Sequence, residues 1–240
     1  MASLRLFAAR NSSLALRSLA YYPAASAIRT SSPRYFATTI MSSPRLLEEI
    51  KVDHDNIRDL CKRFQDAQKK GDEKLCTDIA NTIIHEAAVH SDAEELSIYK
   101  MMDQQGMKDI AEKDRNDHQQ VKQAMNDLNA HGISDVGLEA YAKRVVDACQ
   151  LFLHHAEEEE TDQLPRLVKE LSEKDHAKAV DDFLQARKMA PTRPHPSAPQ
   201  GGGMAQKAMG AMGKAADVAM DVGRNFVDLK YHHSEVKSSA

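Results

Sequence analysis

The sequence predicts an all-α protein built on an up-down-up-down four-helix bundle with one extra C-terminal helix. Three observations point there. Between Pro44 and Pro191 apolar residues recur at steps of three and four, and no alternating strand pattern competes with them. The connections are short, which makes consecutive helices antiparallel neighbours. The 240 residues are 42% hydrophobic and 28% charged with no Trp, a globular composition whose scarcity of aromatics leans towards helix.

The first helix places Leu47, Ile50, His54, Ile57, Cys61 and Phe64 on one stripe, so a histidine takes a core position. After Gly71 the second carries Cys76, Ile79, Ile83, Ala87, His90, Glu94 and Met101. Gly106 opens the third, with Met107, Asp114, His118, Val121, Met125 and Leu128 inward. A turn at His131 to Ser134, with Asp135 as N-cap, leads into the fourth, where Leu138, Tyr141, Val145, Ala148, Phe152, His155 and Glu159 line up. Ser172, with Asp175 three residues on, caps a further helix whose Val180, Phe183 and Leu184 dock it on the bundle end. Pro191 to Gly203 (PTRPHPSAPQGGG) then breaks the helical pattern and marks a boundary. The Ala-, Met- and Gly-rich remainder to residue 240 could form a weak helix, and is expected to be a loosely ordered tail.

Counting spacings exposes an internal repeat. His54 to His90 is 36 residues and His118 to His155 is 37, and each pair closes with H-x-x-x-E-E. The chain reads as two copies of a helical hairpin. Packed face to face, they would bring four imidazoles and two carboxylates into the bundle centre. Buried charges are costly unless paired or coordinated, so a metal site is the reading that explains all six. Asp114, one turn before His118, is either a further ligand or a supporting group. His85 and His154 fall off the seam, and Glu157, Glu158 and Glu160 read as a solvated face. His131, His176, His195, His232 and His233 fall in turns, the last helix or the tail and carry no expected role.

Other chemistries are excluded by geometry. His85 and His90 suggest a zinc-protease helix, but five residues separate them, about 140° around the axis, too far to share one ion. Three cysteines, Cys61, Cys76 and Cys149, form no C-x-x-C and read as reduced core residues. A ferritin-type site would need Glu-x-x-His on two helices, and Ser97 and Asp162 stand where those histidines would be.

With its twice-repeated H…HxxxEE, the segment 45–190 resembles a hemerythrin-like, or HHE cation-binding, domain, which is about three fifths of the chain. The resemblance implies a bundle of hemerythrin-like type around a non-haem di-iron centre. Its metal ligands would be His54, His90, Glu94, His118, His155 and Glu159, with oxygen meeting one open coordination position. Two departures stand out. Oxygen-carrying hemerythrins have a fifth His four residues from the other on the third helix, whereas Asp114 and Lys122 flank His118 here; and their last carboxylate follows its His by five residues rather than four. The substitutions imply a more carboxylate-rich, less stable site than that of an oxygen carrier. Mixed His and carboxylate ligands favour redox iron over closed tetrahedral zinc, with manganese or zinc loading as alternatives. The expected function is binding of iron, with dioxygen or nitric oxide as small ligands, or storage or sensing of iron. The alternative is a di-iron oxidase or peroxidase on the same site. No separate acid, base or nucleophile constellation is legible, which ranks the enzyme second.

Residues 1–36 carry Arg5, Arg10, Arg17, Arg29 and Arg34, many Ser, and no acid; the first acid is Glu48. That is the composition of a mitochondrial transit peptide, with cleavage before Ala37 the expected end and the matrix the expected destination. Its short apolar stretches, interrupted by Arg, do not make a membrane anchor. A second start at Met41 would give a cytosolic form. The mature chain would keep 27 of its 32 basic residues against 36 acidic ones, a charge of −9, which makes nucleic acid an improbable partner.

Overall fold

The structure, a computed structural model, describes residues 45–201 and 203–234. The expected transit peptide, its cleavage point and Met41 lie outside them. Among the described residues the helices are α1 (Leu46–Lys69), α2 (Glu73–Leu96), α3 (Ile98–Gln104), α4 (Lys108–Ala130), α5 (Ile133–Val136), α6 (Leu138–Glu158), a π-helical turn (Glu159–Gln163), α7 (Leu164–Glu170), α8 (Glu173–Met189) and α9 (Met204–Met220). α1 packs on α2, α2 on α4, α4 on α6 and α6 back on α1, which closes the expected up-down-up-down ring. α8 lies across α2 and α1.

Local signals explain most of the boundaries. Glu48 and Glu49 in the first turn of α1 and Lys69 in its last complement the helix dipole, and Gly71 at φ +69° turns the chain out. Asp72 caps α2 by accepting from the Leu75 amide at 3.0 Å, and Ser172 caps α8 by accepting from that of Asp175 at 3.2 Å. The sequence reading errs at two joints. Asp135 is not the N-cap of the fourth helix. It lies inside the single turn α5, where its carboxylate accepts from the Gly132 amide at 2.7 Å, and α6 starts after Gly137 at φ +80°. The second helix also stops short of Met101. It breaks at Ser97, whose hydroxyl bonds back to the Ala93 carbonyl at 2.6 Å, and resumes in a new direction as α3.

Two apolar clusters make the core. One holds Ile57, Phe64, Ile83, Ala87, Val121 and Phe152; the other holds Leu46, Ile50, Ala93, Tyr99, Leu164 and Phe183. Along each bundle helix the inward histidine lies where one cluster gives way to the other. The polar layer is therefore capped above and below by packed hydrocarbon. Val180, Phe183 and Leu184 are buried in the second cluster, as the capped helix predicts.

Two further expectations are corrected. Cys61 and Cys149 are not reduced: they form a disulfide joining α1 to α6, and only the buried Cys76 is a free thiol among the described residues. Sequence spacing hides the pair because 88 residues separate them, and only packing brings the helices together. The segment expected as a loose tail forms α9 and then a strap along the bundle. Asn56 bonds both the amide and the carbonyl of Tyr231 (2.9 and 3.0 Å), Thr82 accepts from the Val227 amide at 2.9 Å, and Val227 and Leu229 pack on the first cluster. Composition misleads there because the strap's partners are polar side chains of α1 and α2, which no local pattern in the tail reveals.

Candidate metal centre

All six expected ligands converge. His54, His90, Glu94 and Glu159 form one group of mutually close ligand atoms, and Glu94, His118, His155 and Glu159 form a second; every member is buried. The two carboxylates belong to both groups. Glu94 Oε2 lies 3.2 Å from His90 Nε2 and 3.5 Å from His118 Nε2, while Glu159 lies 3.4 Å from His54 Nε2 and 3.3 Å from His155 Nε2. The two hairpins are alike at this point: the Nε2 atoms of His54 and His90 are 3.3 Å apart and those of His118 and His155 3.0 Å.

Behind each imidazole stands a carboxylate that the sequence reading missed. Asp53 Oδ2 accepts from His90 Nδ1 at 3.2 Å and Glu160 Oε1 from His54 Nδ1 at 2.8 Å. Glu95 faces His118 Nδ1 at 3.4 Å, and Asp117 faces His155 Nδ1 at 3.7 Å. The pattern is regular. The acid immediately before the first His of each hairpin backs the second His of that hairpin, and the acid immediately after each shared Glu backs the first His of the other hairpin. The true repeat is D-H…H-x-x-x-E-E. Glu160 is thus not on a solvated face, and only the crossing of hairpins shows it. Each backing acid has its own cation: Asp53 has Arg187, Glu95 has Lys122 at 2.7 Å, Asp117 has Lys113 at 2.8 Å, and Glu160 has Lys51 and Arg58 at 2.8 Å.

This outer ring fixes the chemistry of the inner atoms. A carboxylate only accepts, so His54 and His90 donate through Nδ1 and turn Nε2 lone pairs inward, as metal-ligating histidines do. Two lone pairs 3.3 Å apart repel unless a proton or a metal ion lies between them. Glu94 Oε1 and Glu159 Oε2 are buried without a hydrogen bond. Such atoms are expensive to bury and fit an absent cation.

Without metal, protons take that place. Burial disfavours a charged ring at His90, but Glu94 and Asp53 outweigh it and push its pKa up to about 10. His155, buried likewise, is held well above its ordinary value by Glu159 and Asp117, while burial and the repulsion of His155 drive His118 well below. The proton is thus favoured on His90 in one group and on His155 in the other. Asp114 adds an acid beside His155. Both its oxygens lack a hydrogen bond, and burial with repulsion from Glu159 raises its pKa to about 8, the mark of a carboxylate short of a cation.

Tyr99 is the central residue that the sequence reading overlooked. Its hydroxyl donates to Glu159 Oε1 at 3.0 Å and lies 3.3 Å from Glu94, 3.0 Å from His118 and 3.2 Å from His155. On a continuous helix it would stand opposite His90, nine residues away, because nine steps of about 100° amount to half a turn. The break at Ser97 is what swings it inward.

Residues 45–167 match the profile of the hemerythrin HHE cation-binding domain. The chain belongs to that family. An uncharacterized hemerythrin-like protein of Schizosaccharomyces pombe is 31% identical over 159 residues, which is 65% of this chain and 75% of that one. No solved structure matches significantly. The hemerythrin HHE domain is a cation-binding fold, and in this member buried groups of His and Glu stand where an ion would be held. No helix among the described residues is long and apolar enough to cross a membrane.

Proposed function

We propose that this hemerythrin-family protein holds a non-haem di-iron centre. His54 and His90 would bind one iron, His118 and His155 the other, with Glu94 and Glu159 shared and Asp114 available to the second. The observation that carries the reading is that both glutamates belong to both ligand groups, since a single-ion site has no use for two shared carboxylates. Iron in such a site supplies redox chemistry and a place for oxygen or nitric oxide to bind. The chain's own part is to exclude water with the two apolar clusters, to aim the Nε2 atoms of His54 and His90 inward through hydrogen bonds to Glu160 and Asp53, to hold Glu95 and Asp117 facing the other two rings, and to set the Tyr99 hydroxyl at the middle.

The main reading is a protein that binds oxygen or nitric oxide, or that stores or senses iron. Tyr99 favours an oxidase or peroxidase as the second reading. Burial and the acids around it, Glu159 foremost, keep its phenol protonated, so an O–H donor stands within hydrogen-bond reach of both shared carboxylates. Titration with ferrous iron under argon, followed by oxygen, separates them. Two irons per chain and a reversible band on cycling oxygen support carriage, and irreversible oxidation supports storage or catalysis. Failure to take up iron overturns the di-iron reading.

The basic segment 1–36 would direct mitochondrial import. The disulfide calls for an oxidising compartment, so within that organelle an oxidising space suits the chain better than the reducing matrix. A chain begun at Met41 should stay in the cytosol, and its arrival in mitochondria would refute the targeting reading.

A further inference from the structure

Of the four carboxylates that back the ligand histidines, two also receive a hydrogen bond from the C-terminal segment. His233 places Nε2 2.7 Å from Asp53 Oδ1 and Nδ1 2.7 Å from Glu49 Oε1, and the next residue donates its amide to that same Glu49 oxygen at 2.9 Å. Gln206 on α9 is buried and donates to Glu95 Oε2 at 2.6 Å and to Asp92 Oδ1 at 3.1 Å. Asp53 accepts a hydrogen bond from His90 Nδ1 at 3.2 Å, and Glu95 Oε1 faces His118 Nδ1 at 3.4 Å. The segment thus touches each proposed ion's surroundings once, on a different carboxylate and from a different end.

The contacts are built in. Asn56, Thr82 and Glu49 are nearly fully buried polar residues on α1 and α2 whose side chains serve the strap's backbone. At its start, Asp217 of α9 accepts from the amides of Thr192 and Arg193 at 3.0 and 3.1 Å, so the linker is tied down as well.

We infer that residues 191–234 clamp the metal centre through its outer carboxylates, with His233 acting on Asp53 and His90, and Gln206 acting on Glu95 and His118. Both are positioning residues. An imidazole holds its ion more tightly while its Nδ1 partner keeps the ring oriented, and such partners commonly govern metal affinity by 10- to 100-fold. Asp53 is pulled by Arg187 on one side and His233 on the other, and among the described residues His233 is its contact from the strap. Glu95 is divided in the same way between Lys122 and Gln206.

The clamp rests on the di-iron reading, and the test separates the two. The full chain, His233→Ala, Gln206→Ala and the double variant are loaded with ferrous iron under argon, and transfer of iron to an excess of a ferrous chelator is followed. Each single variant should give two phases, with one iron leaving about tenfold faster and the other at the wild-type rate, and the double variant should speed both. General loosening of the fold would speed both irons together in each single variant, and that result overturns the clamp. So do wild-type rates in all three variants. Wild-type protein that takes up no iron overturns the di-iron reading and the clamp with it, whereas two irons in the wild type and no effect of the variants overturn the clamp alone.

Discussion

Replacing Glu94 by Ala tests the shared carboxylate directly. Its side chain is fully buried and faces one histidine of each ligand group, His90 at 3.2 Å and His118 at 3.5 Å. Removing it takes one ligand from both groups, whereas His90→Ala takes one from a single group. Iron content should therefore fall from two per chain towards none in Glu94→Ala, and to one in His90→Ala. The metal-free protein should suffer too, because Glu94 is the main group holding the His90 imidazolium in a buried place. Breaking a buried ion pair by deleting one partner costs about 3–5 kcal/mol. For a domain of this size that lowers the melting temperature by on the order of 10 °C. Elemental analysis after anaerobic loading and thermal unfolding without metal measure the two effects. His85→Ala, on the same helix and outside both groups, should keep its iron. Two irons retained in Glu94→Ala, or a metal-free melting point equal to wild type, would refute the shared-ligand reasoning.

Three other outcomes follow from the same structure. The Cys61–Cys149 disulfide closes a loop of 88 residues, for which chain entropy gives at most about 4.6 kcal/mol; Cys61→Ser with Cys149→Ser should lower the denaturant midpoint accordingly, and an unchanged midpoint would show that the bond does not form. The folded pKa of His90 is raised from 6.5 to about 10, so its stabilising share in metal-free protein is complete below pH 6.5 and lost as pH rises through 10. Melting points of metal-free protein should fall across that window, and iron uptake in weak buffer near pH 8 should release protons; uptake without acidification would contradict the protonated resting site. Lys122 is buried against Glu95 and Asp92, so Lys122→Met should cost about 3–5 kcal/mol by stranding their charge, and chemical denaturation showing no loss would remove it from the outer ring.

The bundle and the six inward His and Glu residues that converge in it are legible because both depend on helical periodicity, which is local. Apolar steps of three and four fix which face is buried, and a His or Glu on that face needs a partner wherever the helix packs. The strongest sequence signal was the repeated H…HxxxEE, since two hairpins with equal spacing bring their polar positions to the same depth. Four of the ten residues in the wider motif are not legible as part of the site. Asp53 and Asp117 each precede an inward His, and Glu95 and Glu160 each follow an inward Glu, but on an isolated helix neighbours point about 100° apart and look solvated.

By itself, then, the sequence determined the four-helix bundle, the capped extra helix and the six residues that meet at its centre. Tertiary structure alone decided the rest. A break at Ser97 brought Tyr99 into the middle, and the contact of α1 with α6 joined Cys61 to Cys149. Crossed hairpins gave every imidazole its backing acid, and the tail ran back along α1 and α2 to reach Asp53 with His233. The physical reason is common to these cases. Periodicity records what a residue's own helix does with its side chain, whereas a contact or disulfide between segments some 20 to 180 residues apart depends on where two helices cross, and no local pattern encodes that.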